Sequence, residues 1–121
     1  MIRILYVDDE ADIREVAEMA LELDPELTVR TCASGAEALE QAVSWQPQLI
    51  LLDVMMPGMD GPTVFANLRK QPATADIPVA FITARTQTAE VQNFRDMGAC
   101  GVLAKPFDPM TLAVRVRELL K

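Results

Sequence analysis

The chain has 121 residues, a formal net charge of −7 and no histidine. This length is typical of one domain that buries a core without disulfides or structural metal. The lack of histidine excludes Ser-His-Asp and Cys-His catalysis, His-ligated zinc or haem, and a phosphohistidine in this chain. The two cysteines, Cys32 and Cys100, are too few for a disulfide framework, and we expect free thiols in a reducing compartment.

The charge is unevenly distributed along the chain. Residues 1–60 hold 13 acidic and 3 basic side chains, whereas residues 61–121 hold 5 acidic and 8 basic ones. Phosphate backbones repel an acidic chain, so we predict no direct nucleic acid binding by this domain. No apolar run approaches the roughly 18 residues of a membrane span, and no leader pattern precedes the first strand. These features predict a cytoplasmic protein without a membrane role.

The first half of the chain alternates between strand and helix patterns. Arg3 to Val7 is an apolar, β-rich run that predicts the first strand. A stripe at helical spacing predicts the first helix, which is stopped at Asp24-Pro25. The stripe consists of Ile13, Val16, Ala17, Ala20 and Leu21. Leu27 to Cys32 predicts the second strand, and Ser34 and Glu37 have the spacing of a capping box that opens a second helix. The apolar face of that helix is predicted at Ala38, Leu39, Ala42 and Val43.

The alternation continues through the second half. Leu49 to Leu52 is a continuous apolar run, which is typical of a strand covered on both faces. Pro62 suits the first turn of a third helix that buries Val64, Phe65 and Leu68. Pro78 to Thr83 predicts a fourth strand, with proline tolerated at its first position. A weaker helix follows with Val91, Phe94 and Met97 as its apolar positions, and Gly98 fits its C-terminal cap.

The last unit begins with a short fifth strand, predicted over Cys100 to Ala104. Asp108 and Pro109 fit an N-cap and first-turn pair, which predicts the start of the last helix. The apolar face of this helix is predicted at Leu112, Val116, Leu119 and Leu120. Its basic residues Arg115, Arg117 and Lys121 are either part of a partner surface or a solvated helix face.

Five βα units without a repeat or linker predict one doubly wound α/β domain over residues 1–121. Its sheet is mainly parallel, with helices on both faces. In such sheets the functional site lies outside the carboxyl ends of the strands. Four strands end in side chains that carry chemistry, and these side chains are Asp8 with Asp9, Asp53, Thr83 and Lys105. The sequence therefore predicts that carboxylates, a hydroxyl and an ammonium meet at one edge.

Carboxylates that lie close together raise one another's pKa unless a cation is present. Mg²⁺ is the cation that fits best, since it accepts one or two carboxylates together with waters and a phosphate. A carboxylate can also be a nucleophile that forms an aspartyl phosphate, and a lysine and a hydroxyl stabilise the phosphoryl oxygens. Each residue alone also fits a structural role, such as an acidic helix start, a cap, a turn or a surface lysine.

Four motifs together give the chain a family resemblance that covers essentially all its residues. The motifs are Val7-Asp8-Asp9-Glu10, residues 52–61 (Leu-Asp-Val-Met-Met-Pro-Gly-Met-Asp-Gly), Ile82-Thr83-Ala84 and Lys105-Pro106-Phe107. With them the chain resembles a response regulator receiver domain, the phosphoacceptor of two-component signalling. The resemblance implies a five-stranded sheet of order 2-1-3-4-5.

The resemblance also implies a role for each site residue. Asp53 would accept a phosphoryl group from a sensor histidine kinase or a histidine phosphotransfer protein. Asp9 and Asp53 would ligate Mg²⁺ together with the backbone carbonyl of Met55, and Asp8 would act through a metal-bound water. Lys105 would pair with the phosphoryl oxygens.

Thr83 would turn in to hydrogen-bond the phosphoryl group, and the Lys105–Pro106 peptide would be cis. A domain of this family catalyses only its own phosphorylation and autodephosphorylation and is not otherwise an enzyme. Its phosphorylated form would switch the interaction with a downstream output domain or protein. The family usually has Tyr or Phe three residues before the lysine, where this chain has Val102. We therefore expect a smaller or differently routed conformational change around the fourth helix, fifth strand and fifth helix.

Three other functions fit part of the pattern. A haloacid-dehalogenase-type phosphatase requires a second aspartate two residues after the nucleophile, where this chain has Met55. A flavodoxin-like cofactor binder needs a phosphate-cradling loop after the first strand, where this chain has acidic residues. A degenerate receiver that acts only as a phosphorylation-independent interaction module is the strongest rival. The intact acidic pair, Asp53, Thr83 and Lys105 argue against it.

Overall fold

A computed structural model describes all 121 residues, with five strands and five helices in alternation. The strands are β1 (Ile2–Val7), β2 (Leu27–Cys32), β3 (Leu49–Asp53), β4 (Val79–Thr83) and β5 (Gly101–Ala104). The helices are α1 (Ala11–Leu21), α2 (Gly35–Trp45), α3 (Gly61–Lys70), α4 (Thr88–Asp96) and α5 (Leu112–Leu119). No helix is long and apolar enough to cross a membrane.

The five strands form one parallel sheet of order β2-β1-β3-β4-β5, which confirms the predicted doubly wound α/β fold. Every residue of β3 and β4 is buried, as expected for central strands covered on both faces. Side chains alternate between the faces, so the core divides into two clusters. One cluster packs the sheet against α2 and α3, and the other packs it against α1 and α5.

Side chains cap the starts of α2 and α3. The Ser34 hydroxyl accepts from the backbone N–H of Glu37 (3.2 Å), as the predicted capping box requires. The Glu37 carboxylate accepts from the N–H of Ala33 (2.7 Å), one residue outside the usual position. Asp60 caps α3 by accepting from the N–H of Thr63 (2.9 Å), and Pro62 occupies the first turn as predicted.

The predicted start of the last helix at Asp108 and Pro109 is wrong, because α5 begins at Leu112. The Asp108 carboxylate accepts from the N–H of Met110 (2.9 Å), and its carbonyl accepts from Thr111 and Leu112 (both 3.1 Å). These bonds make a turn that precedes the helix, and Thr111 is the N-cap residue. Asp-Pro suits such a turn as well as a helix start.

Three residues predicted on buried helix faces lie at the surface instead. Val16 on α1 is 43% exposed, Val43 on α2 is 45% exposed and Met97 after α4 is 43% exposed. Other positions of the same stripes do reach the core, and Ala17 and Ala42 are fully buried. α4 buries no residue completely, and its Phe94 ring packs on Phe81 with centroids 4.7 Å apart.

Gly61 at the start of α3 lies against the backbone that carries Asp53. A Cβ at Gly61 would stand 2.6 Å from the carbonyl oxygen of Asp53 and 2.9 Å from the Cα of Val54. We expect Gly61→Ala to lower the free energy of unfolding by about 1–3 kcal/mol, because backbone cannot yield as a side chain can. Urea denaturation checks this, with Gly101→Ala as the control, since a Cβ there meets only the Leu119 side chain. Equal losses in the two variants would contradict the prediction.

Candidate functional site

The carboxyl ends of four strands bring the predicted side chains to one edge of the sheet. Asp8 directly follows β1, Asp53 ends β3, Thr83 ends β4 and Lys105 directly follows β5. The backbone N–H of Lys105 donates to the carbonyl of Thr83 (2.9 Å), so sheet pairing continues to the lysine itself. The N–H of Asp8 likewise donates to the carbonyl of Cys32 (3.1 Å). The site residues are therefore held by the sheet, where their positions are precise.

The Lys105 ammonium is the centre of the site. It donates to Asp8 Oδ2 (3.0 Å), to Glu10 Oε1 (3.2 Å) and to Asp53 Oδ2 (3.3 Å). An ammonium has three N–H donors, so these bonds use all of them. The Asp8 and Asp53 side chains are buried, whereas Glu10 is exposed. The structure thus brings together three of the predicted residues, Asp8, Asp53 and Lys105.

Tyr6 and Glu10 belong to the site, although the sequence did not single them out as site residues. The Tyr6 hydroxyl is buried and donates to Asp8 Oδ2 (3.1 Å), the oxygen that also accepts from Lys105. The available signal for Tyr6 was strand alternation, which places residues 6 and 8 on the same face of β1. Glu10 is the N-cap residue of α1, yet its carboxylate makes no cap bond and turns to Lys105.

Burial and like charge oppose ionisation of the Asp53 carboxyl group. Burial, and then the negative charge of Asp8, raise the pKa of Asp53 to about 6, against the opposing pull of Lys105. Burial acts to lower the pKa of Lys105, but its hydrogen bond with Asp8 and the charges of both aspartates outweigh this and raise it. Burial and Asp8 also raise the pKa of Tyr6, which stays a protonated donor. The site therefore carries more negative charge than its one lysine neutralises.

The donor set suits a hard divalent cation. Carboxylate oxygens of Asp8, Asp9 and Glu10 lie within 4.8 Å of one another, and Asp53 shares Lys105 with Asp8 and Glu10. Asp9 is exposed, so its carboxylate is open to an incoming ion. Oxygen ligands of this kind, with room for water, are what Mg²⁺ accepts. An ion there would relieve the repulsion that raises the pKa of Asp53.

The side chains of the other sequence-predicted residues make no hydrogen bond to the Asp53 carboxylate. The buried Thr83 hydroxyl accepts from the N–H of Arg85 (3.0 Å) and keeps its own proton free to donate. Met55 is 74% exposed, and its backbone carbonyl accepts no hydrogen bond from the chain. Val102 pairs with Phe81 across β4 and β5 and is half-buried. The Lys105–Pro106 peptide is cis, as expected.

The fold and the site define a family, and comparison with known proteins agrees. The family model described as "Response regulator receiver domain" matches residues 4–117. The chain therefore belongs to the response regulator receiver domain family of two-component systems. Domains of this family are phosphoryl-accepting switches and are generally not enzymes in their own right. They bind Mg²⁺ in an acidic pocket, which here corresponds to Asp8, Asp9 and Glu10.

Individual relatives are similar over almost the whole chain. A DNA-binding dual master transcriptional regulator, RpaA of Synechocystis sp., is 42% identical over 100% of this chain and 50% of its own length. The response regulator PleD of Caulobacter vibrioides is 43% identical over 98% of this chain and 26% of its own length. The solved structure of the chemotaxis response regulator CheY4 of Vibrio cholerae matches with a TM-score of 0.89, at 34% identity and 98% coverage of both chains. The chain thus spans half or less of the RpaA and PleD sequences and nearly all of CheY4.

Proposed function

We propose that residues 1–121 form one cytoplasmic receiver domain that takes a phosphoryl group onto Asp53 in a Mg²⁺-dependent reaction. The observation that carries this proposal is the bond from Lys105 to the buried Asp53 carboxylate. A buried carboxylate beside one ammonium and several further carboxylates suits phosphoryl transfer. It offers a nucleophile, a cation for the phosphoryl oxygens and ligands for a metal.

The donor would be a phosphohistidine of a sensor histidine kinase or histidine phosphotransfer protein. A carboxylate oxygen of Asp53 forms a bond to phosphorus while the P–N bond to the imidazole breaks. The electron pair of that bond remains on the imidazole nitrogen, which takes up one proton from water and so becomes neutral histidine. The product is an acyl phosphate on Asp53, and attack of water on its phosphorus returns the carboxylate and inorganic phosphate.

The residues of the chain would share the remaining work. Asp9 and Asp53, with the backbone carbonyl of Met55, would hold the metal, and Asp8 would act through a metal-bound water. Mg²⁺ supplies positive charge for the phosphoryl oxygens when it is bound. Lys105 would move its hydrogen bonds to the phosphoryl oxygens, and the free proton of Thr83 would donate to one of them. Uptake of the phosphoryl group would therefore redistribute the contacts of Lys105 and Thr83, and this would start the conformational change of the phosphorylated form.

The partners follow from the same chemistry. We infer that the phosphorylated form changes its contact with a downstream output domain or protein and that this domain does not itself contact nucleic acid. Arg115 on α5 and Lys121 after its end are exposed and free to join a partner surface. Arg117 is not, because its guanidinium binds Asp24 (2.6 Å) and Glu26 (2.7 Å).

Intact-protein mass spectrometry after incubation with acetyl phosphate tests the proposal. We expect a mass increase of one phosphoryl group with Mg²⁺, none with a chelator, and none in Asp53→Asn. The matched control is Asp76→Asn, which removes an exposed carboxylate far along the chain and should be phosphorylated normally. No adduct under any condition would favour the degenerate receiver that acts only as an interaction module.

A further inference from the structure

The Asp8 carboxylate accepts hydrogen bonds from two other donors in addition to the Lys105 ammonium. Its side chain is fully buried, and Oδ1 accepts from the backbone N–H of Glu10 (2.9 Å). Oδ2 accepts from two donors at once, the Lys105 ammonium (3.0 Å) and the Tyr6 hydroxyl (3.1 Å). Tyr6 is the neutral member of this pair, and it is fully buried.

The Tyr6 ring is fixed from the other side of the site. It packs edge to face on Phe107, with centroids 6.4 Å apart and planes at 76°. Phe107 directly follows Lys105-Pro106. Tyr6 therefore contacts the segment that carries Lys105 and also hydrogen-bonds to Asp8, which accepts from Lys105. The hydroxyl position is therefore set by both β1 and the loop after β5.

Lys105 cannot gain an acceptor without losing one, because its three donors are already used on Asp8, Glu10 and Asp53. The exposed Glu10 carboxylate can hydrogen-bond to water if it loses this donor, but the buried Asp8 carboxylate cannot. A turn of Lys105 from Asp8 to a phosphoryl oxygen therefore takes a charged donor from a buried oxygen. Such an oxygen is costly to leave unpaired. Asp8 Oδ2 is the one acceptor of the three that has a second side-chain donor, the Tyr6 hydroxyl.

We propose that Tyr6 is a positioning residue that keeps Asp8 hydrogen-bonded while Lys105 turns from Asp8 to the phosphoryl group. The inference rests on the proposed phosphoryl uptake by Asp53. It assigns the Tyr6 hydroxyl to the transfer step and not to metal binding. Loss of the hydroxyl leaves Asp8 with full charge and one donor fewer, so Asp8 holds Lys105 more tightly and still attracts a cation.

The test is Tyr6→Phe, which removes the hydroxyl and keeps the ring on Phe107. Two quantities are measured: the Mg²⁺ affinity by calorimetry without a phosphoryl donor, and the phosphorylation rate by acetyl phosphate at saturating Mg²⁺. We expect the rate to fall about tenfold, as for loss of one hydrogen bond to a charged group, with a Mg²⁺ affinity within about twofold of wild type or tighter.

The control is Thr74→Val, which removes another buried hydroxyl, one that donates to the carbonyl of Leu68 (2.6 Å) away from the site. It should lower stability and leave the rate at saturating Mg²⁺ unchanged. A Tyr6→Phe rate within twofold of wild type would overturn the inference and leave the proposed function intact. A parallel fall of rate and Mg²⁺ affinity would also overturn it, since it would show a general disturbance of the site. A wild-type chain that takes up no phosphoryl group would overturn the proposed function and this inference with it.

Discussion

Lys105→Met is expected to lower the stability more than any other single substitution at the site and also to slow phosphorylation strongly. The ammonium donates to two buried aspartates, Asp8 and Asp53, and to Glu10. Removing one partner of a buried ion pair leaves an uncompensated charge, and the loss is about 3 kcal/mol or more. The phosphoryl oxygens also lose the cation that would stabilise them, so we expect the phosphorylation rate to fall about 100-fold or more.

Urea denaturation and acetyl phosphate kinetics measure the two effects of Lys105→Met. Lys70→Met is the matched control, because Lys70 is exposed and makes no ion pair. We expect added Mg²⁺ to recover much of the lost stability, since the ion would neutralise the same carboxylates, but not the lost rate. A Lys105→Met protein as stable and as readily phosphorylated as Lys70→Met would show that Lys105 is only a surface lysine.

Asp53→Asn is expected to stabilise the metal-free protein at neutral pH, although it abolishes phosphorylation. Burial and the charge of Asp8 raise the pKa of Asp53 to about 6 in the folded state, from an ordinary value of roughly 4. Between these values the folded state binds more protons than the unfolded state, so the free energy of unfolding falls as the pH rises. The free energy of unfolding is therefore highest, with respect to this group, below about pH 4, where Asp53 is protonated in both states, and it falls as the pH rises through 6. The loss amounts to at most about 3 kcal/mol.

The asparagine amide does not ionise, so the free energy of unfolding of Asp53→Asn does not fall in this way as the pH rises. Urea denaturation in chelator at several pH values between 4 and 8 measures the difference between Asp53→Asn and wild type. We expect the variant to gain about 1–3 kcal/mol at pH 7.5 relative to wild type and a smaller gain at pH 5. Asp76→Asn supplies the comparison, because it removes an exposed carboxylate outside the site. A wild type that is more stable than Asp53→Asn at pH 7.5 would contradict this account of the site's electrostatics.

The sequence predicted the architecture and most of the site because both follow from patterns along single strands. β2 was predicted at its observed bounds, and the other four strands differ from prediction by one residue at one end. Parallel strands all end at the same edge, so Asp8, Asp53 and Lys105 could be placed together before their contacts were known. Their distances could not be predicted, since they depend on the register of five strands.

The errors lie where one sequence pattern fits two structures. Asp108 and Pro109 suit a helix start and equally an Asx-type turn, and the structure has the turn. Glu10 reads as an acidic first-turn residue, yet its partner is Lys105, 95 residues away along the chain. Tyr6 lies in an apolar run of the first strand, and this pattern predicts a buried core residue. Only its position two residues before Asp8 indicates that its hydroxyl reaches the site.

The central claim is that Asp53 itself carries the phosphoryl group, and chemical trapping locates the group directly. The protein is treated with acetyl phosphate and Mg²⁺, reduced with borohydride, which converts an aspartyl phosphate to homoserine, and mapped by peptide mass spectrometry. We predict homoserine at residue 53 alone, with unmodified aspartate at residues 8, 9 and 60. Homoserine at another carboxylate, or a phosphoryl group on a serine or threonine with residue 53 unmodified, would contradict the account.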